Sequence, residues 1–204
     1  MAHSNILKIW ALNQSAGMIF GWFFHSVISH LWTGDHEYVL TTNQLLMHIV
    51  SLTGCMFIYL YFQNRATMQL FGYNVLTHWA IYLSIPLALF WVGFYLIGVP
   101  TDVLFWFLSV GFFNGYFLKK GLKWSSNSWV IGSTLSAFLG FMVAIMIFLP
   151  LDSYLSSLKG LMSHVILFTL MGILIGVPMS ILGGYILQKE SAKQSKHLAN
   201  TKIK

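Results

Sequence analysis

The sequence predicts an all-α, polytopic membrane protein with six transmembrane helices, arranged as three tandem helical hairpins. Composition is the first reason, because 57% of the 204 residues are hydrophobic and only 8% are charged. Soluble domains carry about a quarter charged residues, and disordered chains need low hydrophobicity and high charge. The second reason is that the apolar residues form runs of about 20, the length that spans a bilayer as a helix.

Six apolar runs define the predicted spans. They cover Ile6–Trp32, Thr42–Phe62, Val75–Gly98, Asp102–Leu118, Asn127–Leu149 and Leu161–Gln188. Polar residues that accept hydrogen bonds from the free N–H groups of a helix start precede several runs, as Asn74 precedes the third. The runs are too long, and too uniform, for the alternating strands of a barrel. We therefore predict a transmembrane domain over residues 1–188 and a basic cytoplasmic tail over residues 189–204.

The charges in the loops alternate along the chain and predict the orientation. Basic residues follow every second span, and the acidic residues other than Glu190 of the basic tail lie in the other loops, where Lys159 is the one basic exception. Because basic loops stay in the cytoplasm, both termini are predicted to lie there. The predicted location of the protein is the plasma or thylakoid membrane of a bacterium. Membrane topology also explains the net charge of +6, so this charge does not indicate nucleic-acid binding. The predicted partner of the chain is the lipid bilayer. The tail either lies on anionic headgroups or is solvated and disordered.

The odd-numbered spans share a sequence pattern that predicts an internal repeat. Segments of thirteen residues starting at Trp10, Trp79 and Trp129 align without gaps, with an aliphatic residue third and an aromatic residue last. An aromatic belt at the membrane surface explains the first tryptophans. It does not explain the last aromatic, which lies about 18 Å deeper along a helix. Tandem repeats of a hairpin place a pseudo-symmetry axis along the membrane normal.

The strings W-A-L-x-x-x-x-G-x-x-x-G-W from Trp10 and W-V-I-x-x-x-x-S-x-x-x-G-F from Trp129 resemble a known hairpin repeat. It occurs in uncharacterised multi-pass membrane proteins of cyanobacteria, in which W-V-L-A-x-x-x-G-x-x-x-G opens the odd helices. The similarity extends to Lys189, and the third span departs from it at Pro86 and Phe90, where glycines are usual. The resemblance implies an architecture of helical hairpins and no particular activity.

Small residues recur every fourth position along the sixth span and predict close helix packing. Lipid provides no hydrophobic force between helices, so small residues that let backbones approach drive their association. This stripe faces either another helix of the same chain or a membrane-protein partner. Its members are Gly172, Gly176, Ser180 and Gly184.

Histidines concentrate in the outer half of the predicted bundle and form the candidate ligand sites. His25, His48 and His164 lie at similar shallow depth in three spans, and imidazole binds metals, haem iron or chlorophyll magnesium. A second candidate, for a metal, lies at the outer end of the first span and in the loop after it. Its residues are His30, Asp35, His36 and Glu37. The alternative is that these side chains form hydrogen bonds between helices and hold no cofactor.

No catalytic motif appears in the sequence, so the function predicted first is not enzymatic. His25-x4-His30 resembles the histidine stretch of rhomboid proteases, but their Gly-x-Ser-Gly nucleophile motif is missing. We predict an accessory or assembly component of a bacterial membrane complex. One alternative is a carrier or channel for a neutral or amphiphilic small molecule, since the spans contain uncharged polar residues such as Gln14 and Asn114. The other is a membrane protein with histidine-bound haem, pigment or metal.

Overall fold

The computed structural model describes residues 4–33, 42–78, 80–81, 84–85, 87–89, 101–124, 127–155 and 161–201. Over these residues the chain is all-helical and contains no strand. The helices are α1 (Ser4–Thr33), α2 (Thr42–Phe71), a short 3-10 helix (Val75–His78), α3 (Thr101–Gly121), α4 (Ser128–Leu155) and α5 (Leu161–Thr201). The described residues between 80 and 89 are also helical. They belong to the predicted third span, the rest of which lies outside the described residues.

Helix positions agree with five of the predicted runs, and the differences lie at the helix ends. α2 continues past the predicted end at Phe62 as far as Phe71. α5 continues past Gln188 as far as Thr201, so the predicted tail is helical over most of its length rather than disordered. Within the described residues, two helices contain segments long and apolar enough to cross a membrane, Ser128–Ile147 in α4 and Val165–Ser195 in α5.

The turn after α2 has a defined hydrogen-bond pattern. Gly72 has a positive φ of 65°, a conformation that costs glycine little because it has no Cβ, and its N–H donates to the Met68 carbonyl. The Asn64 side chain then accepts the Val75 N–H at 2.9 Å. Asn74 accepts the Leu76 N–H at 3.0 Å, which confirms its predicted role at a helix start.

The described helices pack side by side in the order α2, α1, α5, α4, α3. α1 lies between α2 and α5, α5 packs on α4, and α4 packs on α3. The 3-10 helix links the two ends of this series because it contacts both α2 and α3, with Val75 buried beside Leu60 and Phe117. The largest core cluster joins buried side chains from all five helices. A side-chain hydrogen bond from Gln63 of α2 to Asn114 of α3 also joins these two helices.

The small-residue stripe of α5 lies against α1 of the same chain. A Cβ added at Gly176 would lie 2.6 Å from the Cβ of Met18, closer than real Cβ contacts. At Gly172 it would lie 3.0 Å from the Met18 carbonyl oxygen. Ser180 of this stripe shares a hydrogen bond with Ser15 at 2.6 Å. A membrane-protein partner would therefore have to displace α1 before it could use this surface.

The surface of the described helices is unusually apolar for a soluble bundle. Large apolar side chains point outward, with Met146 72% exposed and Ile131 66% exposed. Several amides and hydroxyls are buried together with the apolar core, including those of Gln14, Gln63 and Asn114. A soluble monomer rarely leaves so many large apolar residues on its surface while it buries polar ones. Helices in lipid satisfy polar side chains through neighbouring helices.

Candidate functional site: a polar layer inside the bundle

Two buried tryptophans, Trp10 of α1 and Trp129 of α4, define one end of an interior polar layer. Their rings meet edge to face with centroids 5.4 Å apart, a favourable aromatic geometry. Both residues open segments of the predicted repeat, and both are buried in the bundle. They consequently face each other inside the protein rather than forming a belt at its surface.

One turn further along α1 begins the polar layer, to which all five helices contribute. Its buried side chains are Gln14 of α1, Gln63 of α2, Asn114 of α3, Ser133 and Ser136 of α4, and Ser180 of α5. α3 and α4 approach closely here because Gly111 and Gly115 lack side chains. The Ser133 hydroxyl donates to the Gly111 carbonyl oxygen across this contact at 2.7 Å. Interhelical hydrogen bonds thus hold the side of the layer formed by α2, α3 and α4.

Gln14 is the exception within this layer. Its side chain is only 1% exposed, yet neither Oε1 nor Nε2 has a hydrogen-bond partner among the described residues. The indole N–H of Trp129 is buried and unpartnered in the same way. A buried polar group without a partner costs about 1–3 kcal/mol, because water solvates it in the unfolded chain. Such groups call for an explanation, and a bound molecule is one.

A small cavity lies beside these unpartnered groups. It is lined by Trp10, Gln14, Asn114, Trp129, Ser133, Ser136, Met179, Ser180 and Gly183. Its free volume is about 10 Å³, at the lower limit of the ~10–15 Å³ needed to hold one water molecule. The described lining residues offer amides, hydroxyls and indole N–H groups and carry no formal charge. The cavity therefore suits a small neutral molecule that both donates and accepts hydrogen bonds.

An apolar layer separates the cavity from the C-terminal half of α1. Met179 lines the cavity and also belongs to the main core cluster, together with Met18, Ile175, Phe141 and Trp22. The last two are the aromatic residues that end the repeat segments of the first and fifth predicted spans. The core cluster closes the polar layer on this side.

Among the histidines predicted to bind a cofactor, the structure describes the side chain of His25 alone. His25 is buried, and its Nδ1 forms a hydrogen bond with the Ser51 hydroxyl of α2 at 2.9 Å. Its ring packs edge to face against Trp22 and Phe168, with centroid distances of 5.5 and 5.6 Å. These contacts are those of a packed interhelical histidine, the alternative that the sequence left open.

The remaining predicted ligands lie outside what the structure describes. The side chains of His48, His164 and His30 are not described, although their backbones belong to α2, α5 and α1. Asp35, His36 and Glu37 are outside the described residues altogether. Within the described part of the chain, no group of three or more His, Cys, Asp or Glu side chains could hold a metal ion.

Sequence reasoning identified part of the polar layer. It named Gln14 and Asn114 as uncharged polar residues within the spans, and in the structure Asn114, Ser133 and Ser15 form interhelical hydrogen bonds. Asn13 instead donates to the Ile9 carbonyl of its own helix. Gln63 was missed because it follows the predicted end of the second span by one residue. Its position one turn before Thr67, in a run without a helix breaker, was the available signal that α2 continues.

Comparison with known proteins identified no relative of this chain. No protein-family model, no curated protein and no solved structure matches the chain.

Proposed function

We propose that the protein is a six-span membrane protein that binds a small neutral molecule in its interior polar layer and carries it across the bilayer. Support for a membrane location comes from the outward-facing apolar side chains and the two helices of membrane-spanning length. Support for the binding site comes from one observation above all. Gln14, fully enclosed, presents both an unpartnered donor and an unpartnered acceptor beside a cavity.

The chemistry of the layer defines the kind of ligand. Gln14 Nε2 and Trp129 Nε1 are donors and Gln14 Oε1 is an acceptor, so the ligand must supply both functions. Charged ligands are disfavoured because an ion in this interior would lack a counter-charge in the lining. Water and small amides such as formamide have the required pattern. Formamide is larger than the cavity, so its entry requires displacement of a flexible side chain, for which Met179 is suited.

The groups that line the cavity are suited to binding a ligand rather than to catalysing a reaction. Serine hydroxyls, carboxamides and indoles do not ionise near neutral pH, and serine becomes a nucleophile only beside a general base. Among the lining residues that the structure describes there is no histidine, carboxylate or lysine. We therefore propose a non-enzymatic role. The accessory role predicted first from the sequence stays a prediction.

Solute flux into vesicles tests the carrier role. After the initial shrinkage caused by a formamide challenge, proteoliposomes containing the protein should reswell faster than protein-free vesicles, measured by stopped-flow light scattering. Gln14→Met should lose most of this difference because it removes the donor and the acceptor while keeping a flexible side chain of similar length.

Thr169→Val is the matched control for this flux measurement. Like Gln14→Met, it removes a buried polar group that has no hydrogen-bond partner among the described residues, here the Thr169 hydroxyl. Because Thr169 does not line the cavity, flux should stay at the wild-type rate. Equal flux with and without protein would refute transport. Equal flux in the wild type and Gln14→Met would place the pathway elsewhere.

A further inference from the structure

A groove lies outside the bundle where the first turn of α4 meets the later part of α5. It has a volume of about 440 Å³ and is lined by Ser128, Tyr185, Ile186, Lys189, Glu190 and Lys193. It shares no lining residue with the interior cavity. Lys189 and Lys193 are four residues apart on one helix, so their ammonium groups project from the same face.

Polarity changes along the length of this groove. Tyr185 and Ile186 supply an apolar part, and Ile186 lies against α4 at a position left open by Gly132. One turn later, Lys189 and Lys193 supply positive charge. The Lys189 Nζ lies 4.4 Å from the centroid of the Tyr185 ring, which draws its aliphatic stem along the apolar part.

The acidic member of the groove is held by its own helix. Glu190 is buried, and its Oε1 accepts a hydrogen bond from Gln194 Nε2 at 2.9 Å. Both lysines, by contrast, are exposed. The ammonium groups rather than the carboxylate are therefore the charges that a ligand in the groove would meet.

We infer that this groove binds the headgroup of an anionic phospholipid. Two ammonium groups one helical turn apart suit a phosphate, and the adjoining apolar part suits the start of an acyl chain. A free phosphate would use only the charged part. The groove also lies at the end of the apolar segment of α5, where lipid headgroups lie if this segment spans the bilayer. The inference rests on that part of the proposed function and is independent of any ligand in the interior cavity.

Thermal unfolding in a neutral detergent tests the inference. Short-chain phosphatidylglycerol should raise the unfolding midpoint of the full-length protein by several degrees, because a ligand that binds the folded state stabilises it. Phosphatidylcholine of the same chain length and inorganic phosphate should leave the midpoint unchanged. In the double variant Lys189→Gln, Lys193→Gln, the shift with phosphatidylglycerol should be lost. Exposed substitutions of this kind change the basal midpoint little.

A second double variant, Lys120→Gln with Lys123→Gln, removes the same charge from exposed positions outside the groove. It should keep the wild-type shift with phosphatidylglycerol. A shift that survives in the groove variant, or that disappears equally in both variants, would show attraction by overall charge and overturn the inference. An equal response to phosphatidylcholine, a response to inorganic phosphate, or no response to any of the three would also overturn it. None of these outcomes depends on formamide flux, so the two proposals fail separately.

Discussion

At the scale of single residues, the Gln14 side chain is expected to lower the free energy of unfolding, whereas its hydrogen-bonded neighbours in the polar layer raise it. A carboxamide has two donor hydrogens and two acceptor lone pairs, and a molecule that fits the small cavity satisfies only part of them. Gln14→Met should therefore raise the free energy of unfolding by about 1 kcal/mol. Thermal denaturation in detergent measures this change, and a lower midpoint would contradict the account.

Asn114→Leu is the matched comparison for Gln14→Met. Asn114 accepts a hydrogen bond from Gln63, so its replacement removes an interhelical partner inside the bundle. The free energy of unfolding should fall by about 1–3 kcal/mol, because Gln63 loses this acceptor. Two buried amides in the same layer are thus expected to respond in opposite directions.

His25 is expected to stabilise the folded protein through its hydrogen bond with Ser51. The single variants His25→Ala and Ser51→Ala should each destabilise the protein, and the double variant should cost less than their sum by about 1 kcal/mol. A double-mutant cycle in detergent gives this coupling energy. Strict additivity would show that the 2.9 Å hydrogen bond contributes nothing. Absorption of the purified wild type in the visible region would instead support the cofactor alternative.

At the scale of the helices, the contact between α1 and α5 depends on which glycines touch α1. Gly176→Ala should cost about 1–3 kcal/mol because its new Cβ meets the Met18 side chain at 2.6 Å. Gly183→Ala, two turns later, meets its nearest atom at an ordinary 3.4 Å. It should be neutral or stabilising by up to about 1 kcal/mol, the helix preference of alanine over glycine. Equal effects would show that this helix contact is loose.

The presence of the helices could be predicted from the sequence. The residues at which they end, and the hydrogen-bond partners of buried side chains, could not. Long apolar runs reveal helices because a membrane-spanning helix needs about 20 such residues. Arg65 and Lys189 looked like the start of loops, but charged residues outside an apolar segment continue a helix equally well. That Gln14 lacks a partner while Asn114 has one depends on the rotation of α1 relative to α3. The order of residues shows that both side chains are polar, but it does not reveal this rotation.

At the scale of the whole molecule, the predicted orientation places position 36 outside and position 122 in the cytoplasm. In a Cys55→Ala background, which removes the one native cysteine, a membrane-impermeant maleimide should label His36→Cys in intact cells and leave Leu122→Cys unlabelled. Both should react after the membrane is opened. The reverse pattern would invert the topology, and with it the side of the membrane on which Lys189 and Lys193 meet lipid.

The central claim is that the interior polar layer binds a small neutral molecule through Gln14 and Trp129. The indole N–H resonance of Trp129 reports on it directly in ¹⁵N-labelled protein in nanodiscs, with Trp129→Phe to assign the signal among the eight tryptophans. Formamide should shift this resonance saturably in the wild type and in Thr169→Val, and should leave it in place in Gln14→Met. A resonance that does not respond in the wild type, or that responds equally in Gln14→Met, would contradict the claim.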